Sequence, residues 1–384
     1  MRLNRLLFAL LVTAFGGGLQ AQDVHYTLHN YAPLWLNPAL TGSFYGSVRV
    51  GGIYRGQWHS IEGIQSPTAY VDAPLAFGLR KQDWIGVGLS LVNNRSPFDG
   101  MGPSGSGSGA ADITENFFGF SVAYHLALDK KRQNVLTLGA QYGSISYGGE
   151  FEGLLAQQAN IEGAPGFQSD NFNEFMQTPM SGPGGPGQGT GGGADNNVND
   201  INAGVKLKLT LDPKKNNVFE AGVSLYHLTS PDRRPVFMAD DMEVDTTGMN
   251  PVRGRNRELL ERKSTIHAHA RLDMEMSEKW RIQPTLYYQQ SSASSSVSAQ
   301  VWGQRNLKRD LDLRIGLGYR TGDAAQVLFG LDFAQVRAAL SYDVTVSQAR
   351  EVTNYQGAFE LSAAYIFNIY KKPNVDPTLL CPAL

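Results

Sequence analysis

The chain has 384 residues, and its 33 Lys and Arg against 35 Asp and Glu leave a formal charge of −2. That balance gives neither the basic footprint of a nucleic-acid binder nor attraction to an acidic membrane surface. A single cysteine, Cys381, excludes an intrachain disulfide framework, while 43 glycines and 10% aromatics suit an all-β chain with many turns.

Residues 1–21 read as a secretory signal peptide. Arg2 and Arg5 precede an apolar run from Leu6 to Phe15, and small Ala21 marks the cut. The run is shorter than the roughly 20 residues of a spanning helix, and no cysteine near the cut suggests a lipid anchor. Residues 22–46 follow, carrying "HNYAPLWLNPALTGSFYG". Pro33 and Pro38 break it too often for a helix or a sheet ladder, which predicts an irregular path. Tyr31, Leu34, Trp35, Leu36 and Leu40 need cover from water, at about 1.5–3 kcal/mol each. Two burial sites compete: a lumen, as a plug, or a periplasmic partner, as a docking peptide. Tyr31, Pro33, Leu34, Trp35, Leu36, Asn37, Pro38, Ala39 and Gly42 are the candidate residues, with Asn37 and Thr41 satisfying backbone groups.

From 47 to 367 the pattern has period two. "QVRAALSYDVTVSQ" sets Val336, Ala338, Leu340, Tyr342, Val344 and Val346 against Arg337, Ser341, Asp343 and Thr345. "DINAGVKLKLTL" and "TIHAHARLDME" alternate likewise. Strands are predicted near 47–57, 67–77, 84–94, 116–128, 134–147, 200–211 and 218–229. Seven more follow near 264–275, 280–290, 296–305, 311–319, 325–333, 336–347 and 356–367. Many run longer than the five or six residues of an average strand, reaching the length that crosses a bilayer at a tilt. Arg271, Arg337 and Lys206 would each cost about 2–4 kcal/mol facing lipid, so the charged face points inward. The predicted fold is an all-β, transmembrane, up-and-down antiparallel β-barrel of about fourteen strands, not a β-sandwich. Its candidate lumen residues are Arg49, Arg55, Asp72, His267, His269, Arg271, Arg337 and Asp343. Pro284 and the Ser-rich stretch 291–300 fit the pattern least.

Every second connection is brief: Gly78–Asp83, Asp129–Gln133, Asp212–Asn217, Met276–Lys279, Asn306–Asp310 and Ala334–Gln335. Between them lie Ser96–Glu115, Gly149–Asn199 and Ser230–Arg262. Short turns on one side and long loops on the other are the periplasmic and extracellular ends of such a barrel. Both termini, including the tail 368–384, are then expected in the periplasm. The 149–199 insertion contains "SGPGGPGQGTGGG", too rich in Gly and Pro to pack a core. Its neighbour "FQSDNFNEFM" supplies a candidate cargo loop in Phe167, Asp170, Phe172 and Phe175.

Signals for chemistry are weak. His267 and His269 share a face, but two ligands from one strand make a poor metal site. "HLT" at 227–229 is similar to the His-x-Ser arrangement of outer-membrane phospholipases, with a threonine where the nucleophile belongs. "DDMEVD" at 240–245 lacks the spacing of an EF-hand loop. No catalytic residues, metal or cofactor are assigned, and the chain does not read as an enzyme.

Three stretches together resemble the PorP/SprF family of Bacteroidetes outer-membrane proteins. "YAPLWLNPALTGS" followed by "YRGQW" resembles the family's N-terminal signature, and "GVSLYHLTSP" its middle motif. "GLGYRTGDAAQVLFGLDFAQVRAALSYDVTVSQ" resembles its last strands, and "CPAL" its ending. The 149–199 insertion and the 230–262 loop depart from the family pattern. The resemblance implies a component of the type IX secretion system that helps secrete large surface proteins or anchor them, as with gliding adhesins. Implied partners are outer-membrane lipid, a cargo protein with a type IX C-terminal domain, and periplasmic secretion or gliding machinery that includes a peptidoglycan-binding protein. A passive porin-like channel is the alternative function, and a surface adhesin acting through its own loops a third.

Overall fold

The computed structural model describes residues 24–57, 63–75, 78–99, 110–150, 197–231, 264–291, 295–308, 310–347 and 356–368. The expected signal peptide, the cargo-loop residues Phe167, Asp170, Phe172 and Phe175, the acidic 240–245 stretch and Cys381 lie outside the described residues.

Fourteen strands close into one antiparallel barrel. In chain order they are β1 (Val48–Gln57), β2 (Gln65–Leu75), β3 (Trp84–Asp99), β4 (Ala110–Ala127), β5 (Val135–Glu150), β6 (Asn197–Asp212) and β7 (Asn217–Tyr226). Then come β8 (Thr265–Ser277), β9 (Trp280–Gln290), β10 (Ser295–Lys308), β11 (Leu311–Arg320), β12 (Ala324–Phe333), β13 (Val336–Thr345) and β14 (Ala358–Phe367). Each pairs with its sequence neighbours, and the seam is β1 on β14, running in unbroken register from Val48↔Phe367 to Gln57↔Ala358. Every predicted strand is present. Those near the two loops 100–109 and 151–196 are longer than expected: β3, β5 and β6 have 16 residues each and β4 has 18. Parts of the expected loops Ser96–Glu115 and Gly149–Asn199 are therefore strand, because Arg95–Asp99, Ala110–Thr114 and Glu150 continue the β3–β4–β5 register.

Side-chain alternation sorts the two faces. Leu91, Phe118, Phe120, Leu138, Tyr142, Leu317, Phe329, Leu340 and Tyr342 point outward and are exposed, whereas Arg49, Lys206, Lys208, Arg271, Arg320 and Asp343 are buried inside. In a bilayer the closed ring leaves no open edge among its fourteen strands, and the exposed apolar belt meets lipid.

Strand prolines sit where the ladder leaves room. Pro284 pairs with Val301 on β10, while the β8 register passes from Arg271↔Thr285 to Met274↔Ile282. Pro67 pairs with Tyr54 on β1, while the β3 register passes from Gln65↔Arg95 to Thr68↔Val92. A missing N–H is tolerated when one neighbour does not ask for it. The Ser-rich stretch resolves in the same way, with Ser295–Gln300 opening β10.

The two ends of the described chain lie at opposite ends of the lumen. β14 finishes at Phe367, beside Ser47 at the short-turn end, where Ser47 N donates to Phe367 O at 2.7 Å. Val24, however, borders a pocket with Glu115, Phe117, Asp200 and His227, all on the long-loop side of the wall. Residues 24–47 thus traverse the lumen from the long-loop end to the short-turn end, rather than entering from the short-turn side.

The lipid-facing assignment has a direct measure. Leu317 is among the most exposed outward residues of β11, and Leu317→Arg is expected to destabilise the barrel by about 2–4 kcal/mol, read from denaturant unfolding in lipid vesicles.

Candidate functional site: the lumen and its N-terminal segment

The interior of the barrel holds residues 24–47. The segment is not free of helix: it forms a 3-10 turn at His29–Tyr31, an α-helical turn at Pro33–Leu36 and a second 3-10 turn at Pro38–Leu40. Both prolines open a turn, where a missing N–H costs nothing and the fixed φ is already helical. Proline here starts short turns and prevents only long ones.

Near the long-loop end the segment is held by charge. Thr27 N and Leu28 N donate to the Glu360 carboxylate at 2.8 and 2.7 Å, and Thr27 Oγ1 donates to Asp343 Oδ1 at 2.7 Å. Arg320 meets Asp343 at 2.6 Å, and Arg55 joins Asp343 to Glu360. Gln300 Nε2 donates to Thr27 O at 2.8 Å. Two cations and two anions thus neutralise each other in a buried site, and the carboxylates spend their remaining lone pairs on segment donors. Such charge-assisted bonds are about twice as strong as neutral ones. Beside this cluster, Tyr26 Oη donates to Ser66 O at 3.0 Å, and its ring meets Trp35 edge-on at 5.0 Å.

Lower down, the wall is built to let backbone approach. Gly86, Gly139 and Gly204 face inward, and a Cβ on them would overlap Thr41 O, Ala39 N and Asn37 Oδ1 respectively. Gly139 and Gly204 are register partners on β5 and β6, so together they form a bed for the Asn37–Ala39 turn. Asn37 accepts from Ala39 N at 2.8 Å and donates to Val205 O and Val223 O at 3.2 and 3.4 Å. Ser224 Oγ donates to Leu36 O, Tyr226 Oη to Leu34 O, and Trp84 Nε1 to Gly42 O. Gly42 has φ +66°, and its N–H donates to Asp72 Oδ2 at 2.7 Å.

The candidate residues fall as follows. Leu34, Leu36, Pro38 and Ala39 are buried, Pro33 opens the helical turn, and Tyr31 tilts onto Trp302 at 6.3 Å. Trp35 is half-buried between Tyr26, His267 and Tyr287. Arg49 holds Asp72 through two bonds of 2.9 and 2.8 Å, and its guanidinium lies 4.6 Å over the Phe44 ring. Arg271 meets Glu220 at 3.3 Å, and Lys206 meets the same carboxylate at 3.5 Å. His267 stacks on Tyr226 at 4.7 Å, and His269 is buried on the same face of β8. Arg337 sits opposite Asp332 on the inner wall. Among the described residues, no group of three or more His, Cys, Asp or Glu is placed to hold a metal ion.

The "HLT" stretch is a structural corner. His227 Nδ1 pairs with Asp200 Oδ2 at 2.9 Å, whereas Thr229 Oγ1 donates to Asn199 O at 3.0 Å. Thr229 Oγ1 also reaches Asp200 Oδ1 at 3.5 Å, so the imidazole and the hydroxyl both tie to the Asp200 carboxylate on β6, pinning the turn after β7. Sequence reasoning missed Thr27, Glu360, Arg320, Asp200 and the glycine bed. Inward parity marks Glu360 and Gly204, but only the folded ring brings β14 and β6 to one segment.

Burial pushes the His29 imidazole down to about 3, with the neighbouring His269 adding to the shift. Its ring stacks on Tyr287 at 4.8 Å. The folded segment therefore takes His29 neutral. Its contribution is complete above the unfolded value of about 6.5 and is lost as pH falls toward the folded one.

A family model described as "Type IX secretion system membrane protein PorP/SprF" matches residues 18–365. No curated protein matches the chain. Among solved structures, the toluene transporter TodX of Pseudomonas putida is 12% identical, with 91% of this chain and 94% of that one covered and a TM-score of 0.45. A TodX deltaS2S3 mutant, a monoaromatic hydrocarbon channel, is 14% identical over 87% and 92% of the two chains, with a TM-score of 0.48. The translocator domain of the autotransporter NalP from Neisseria meningitidis is 9% identical over 88% and 95%, with a TM-score of 0.37.

Two outcomes test the fit of the segment. Gly204→Val and Gly139→Val are expected to lift residues 37–41 off the wall, exposing 24–47 to limited proteolysis while the heat-modifiable barrel persists. Lowering pH from 7 to 4 is expected to raise the same cleavage in the parent protein, and His29→Phe, which keeps the ring stack, to lessen that rise.

Proposed function

From the chain's membership of the PorP/SprF family of type IX secretion system membrane proteins, we propose that it is an outer-membrane scaffold rather than a passage. It helps secrete large surface proteins or anchor them, and is not an enzyme. The long-loop end faces outward and holds the C-terminal domain of a cargo protein, with the 149–199 insertion as the docking element. The short-turn end and the tail after β14 face the periplasm and meet secretion or gliding machinery, including a peptidoglycan-binding protein. Residues 24–47 act as a plug.

One observation carries this reading: the segment fills the lumen and bonds to wall residues from β2 to β14. A passive channel needs the space that Leu34, Trp35 and Leu36 occupy.

Deleting 151–196 is expected to release surface cargo into the medium while the barrel stays in the membrane. Planar-bilayer recordings of the parent protein are expected to show little conductance. Retained cargo in the deletion strain would remove the docking role, and steady porin-like conductance would replace the scaffold by the channel.

A further inference from the structure

The short turns are bonded to one another into a fixed rim. Arg132 Nη2 donates to Lys81 O at 3.0 Å, joining the β4–β5 turn to the β2–β3 turn. Thr210 Oγ1 donates to Gln133 O at 2.8 Å, and Arg281 Nη2 to Asn216 O at 2.8 Å, so the tie continues through the β6–β7 turn to β9. Asn306 N donates to Lys279 O at 3.0 Å and carries it on to β10. Every short turn except Ala334–Gln335 presents exposed lysine on this rim: Lys81, the pair Lys130 and Lys131, the pair Lys214 and Lys215, Lys279, and Lys308 at the end of β10.

Several rim carboxylates are turned to the backbone instead. Asp83 is buried and held by Arg80, Tyr124 Oη and Ala127 N. Asp129 accepts from Asn134 N at 2.8 Å, and Asp212 from Lys214 N at 2.9 Å. Glu278 and Asp310 stay exposed, beside Lys279 and Lys308. The surplus of exposed ammonium groups therefore lies on an arc of three neighbouring turns, at Lys81, Lys130, Lys131, Lys214 and Lys215. Such turns stand two strands apart, or about 10 Å.

Membrane depth decides what meets that arc. Trp280 opens β9, Phe333 closes β12 and Phe367 closes β14, all three exposed at the short-turn end. Aromatic girdles of this kind mark the edge of the hydrocarbon. Leu128, Leu211, Met276 and Leu307 are exposed beside the same turns, so the apolar wall reaches the rim. Lys130 and Lys131 come two and three residues after Leu128, and Lys214 three after Leu211. At about 3.3 Å a residue they stand within about 10 Å of the hydrocarbon edge, at the level of the headgroups.

We propose that this arc binds the phosphates of anionic phospholipids in the leaflet at the short-turn end. Lysine takes phosphate as a point charge, and its flexible stem adjusts to the depth of each head. A head with net negative charge gains from several ammonium groups at once, whereas a zwitterionic head brings an ammonium of its own. An acidic protein face would have to enter the headgroup layer to reach the same groups. The inference rests on the barrel lying in a membrane and is independent of cargo docking, so either can fail alone.

The test is native mass spectrometry of the full chain in a non-ionic detergent. The probes are phosphatidylglycerol and phosphatidylethanolamine with matched acyl chains. Phosphatidylglycerol is expected to be retained about tenfold better, and the fourfold variant Lys130→Gln, Lys131→Gln, Lys214→Gln, Lys215→Gln to lose about that factor with phosphatidylethanolamine unchanged. Lys279→Gln with Lys308→Gln, outside the arc, is expected to retain both lipids like the parent, and an equal loss there removes the arc as the site. Equal retention of the two lipids by the parent overturns the proposal. Displacement of phosphatidylglycerol by millimolar inorganic phosphate also does so, since the site would then be one for the free ion. Parent-like retention in the fourfold variant overturns it as well and leaves the arc to an acidic protein. If the fourfold variant does not fold, Lys130→Gln with Lys131→Gln is measured instead, and undiminished phosphatidylglycerol retention in it is equally decisive against the site.

Discussion

The structure depends on the β1–β14 seam. A strand in lipid has no water to satisfy its amides, so a ring with one open edge would expose a full row of donors and acceptors to hydrocarbon. Ten consecutive register pairs from Val48 to Gln57 close that edge. Once the ring is shut, the period of two separates the residues without further choice. One face must be apolar for lipid, and the other is free to carry the charge that lipid rejects.

Closure creates a second problem, since a fourteen-stranded ring encloses more space than its own inward side chains fill. The N-terminal segment occupies that space and uses two chemistries. At the long-loop end it offers main-chain donors to carboxylates already compensated by Arg55 and Arg320. At the short-turn end it comes so close to the wall that only glycine fits at 86, 139 and 204. The first tie is strong and local. The second is steric and extends over several strands, so it also sets the segment's depth.

Much of this was legible in the sequence. Alternation located all fourteen strands, because residues that meet lipid on one face and charge on the other leave no ambiguity of period. The limits were physical. The ends of β3 to β6 continue beyond the apolar band, where residues 96–99, 110–115, 149–150 and 197–199 read as loop. Prolines 33 and 38 suggested an irregular path because proline forbids long helices, yet it favours the first turn of short ones. Glu360 and Thr27, 333 residues apart, are joined by ring closure alone, so no local pattern pairs them. Direction of travel was also hidden: a segment next to β1 in sequence begins at the far end of the lumen.

That direction has a mechanical consequence. The segment is continuous with β1, and β1 carries the seam. Tension on the chain before Val24 would load the ties from Tyr26 through Leu36 and Asn37 to Gly42 one after another, like a zipper, and reach β1 only when the last had parted. Tension on the chain after Phe367 would instead load the seam at once, with its ten pairs sharing the force in shear. The barrel is thus compliant when drawn from one end of its chain and stiff when drawn from the other.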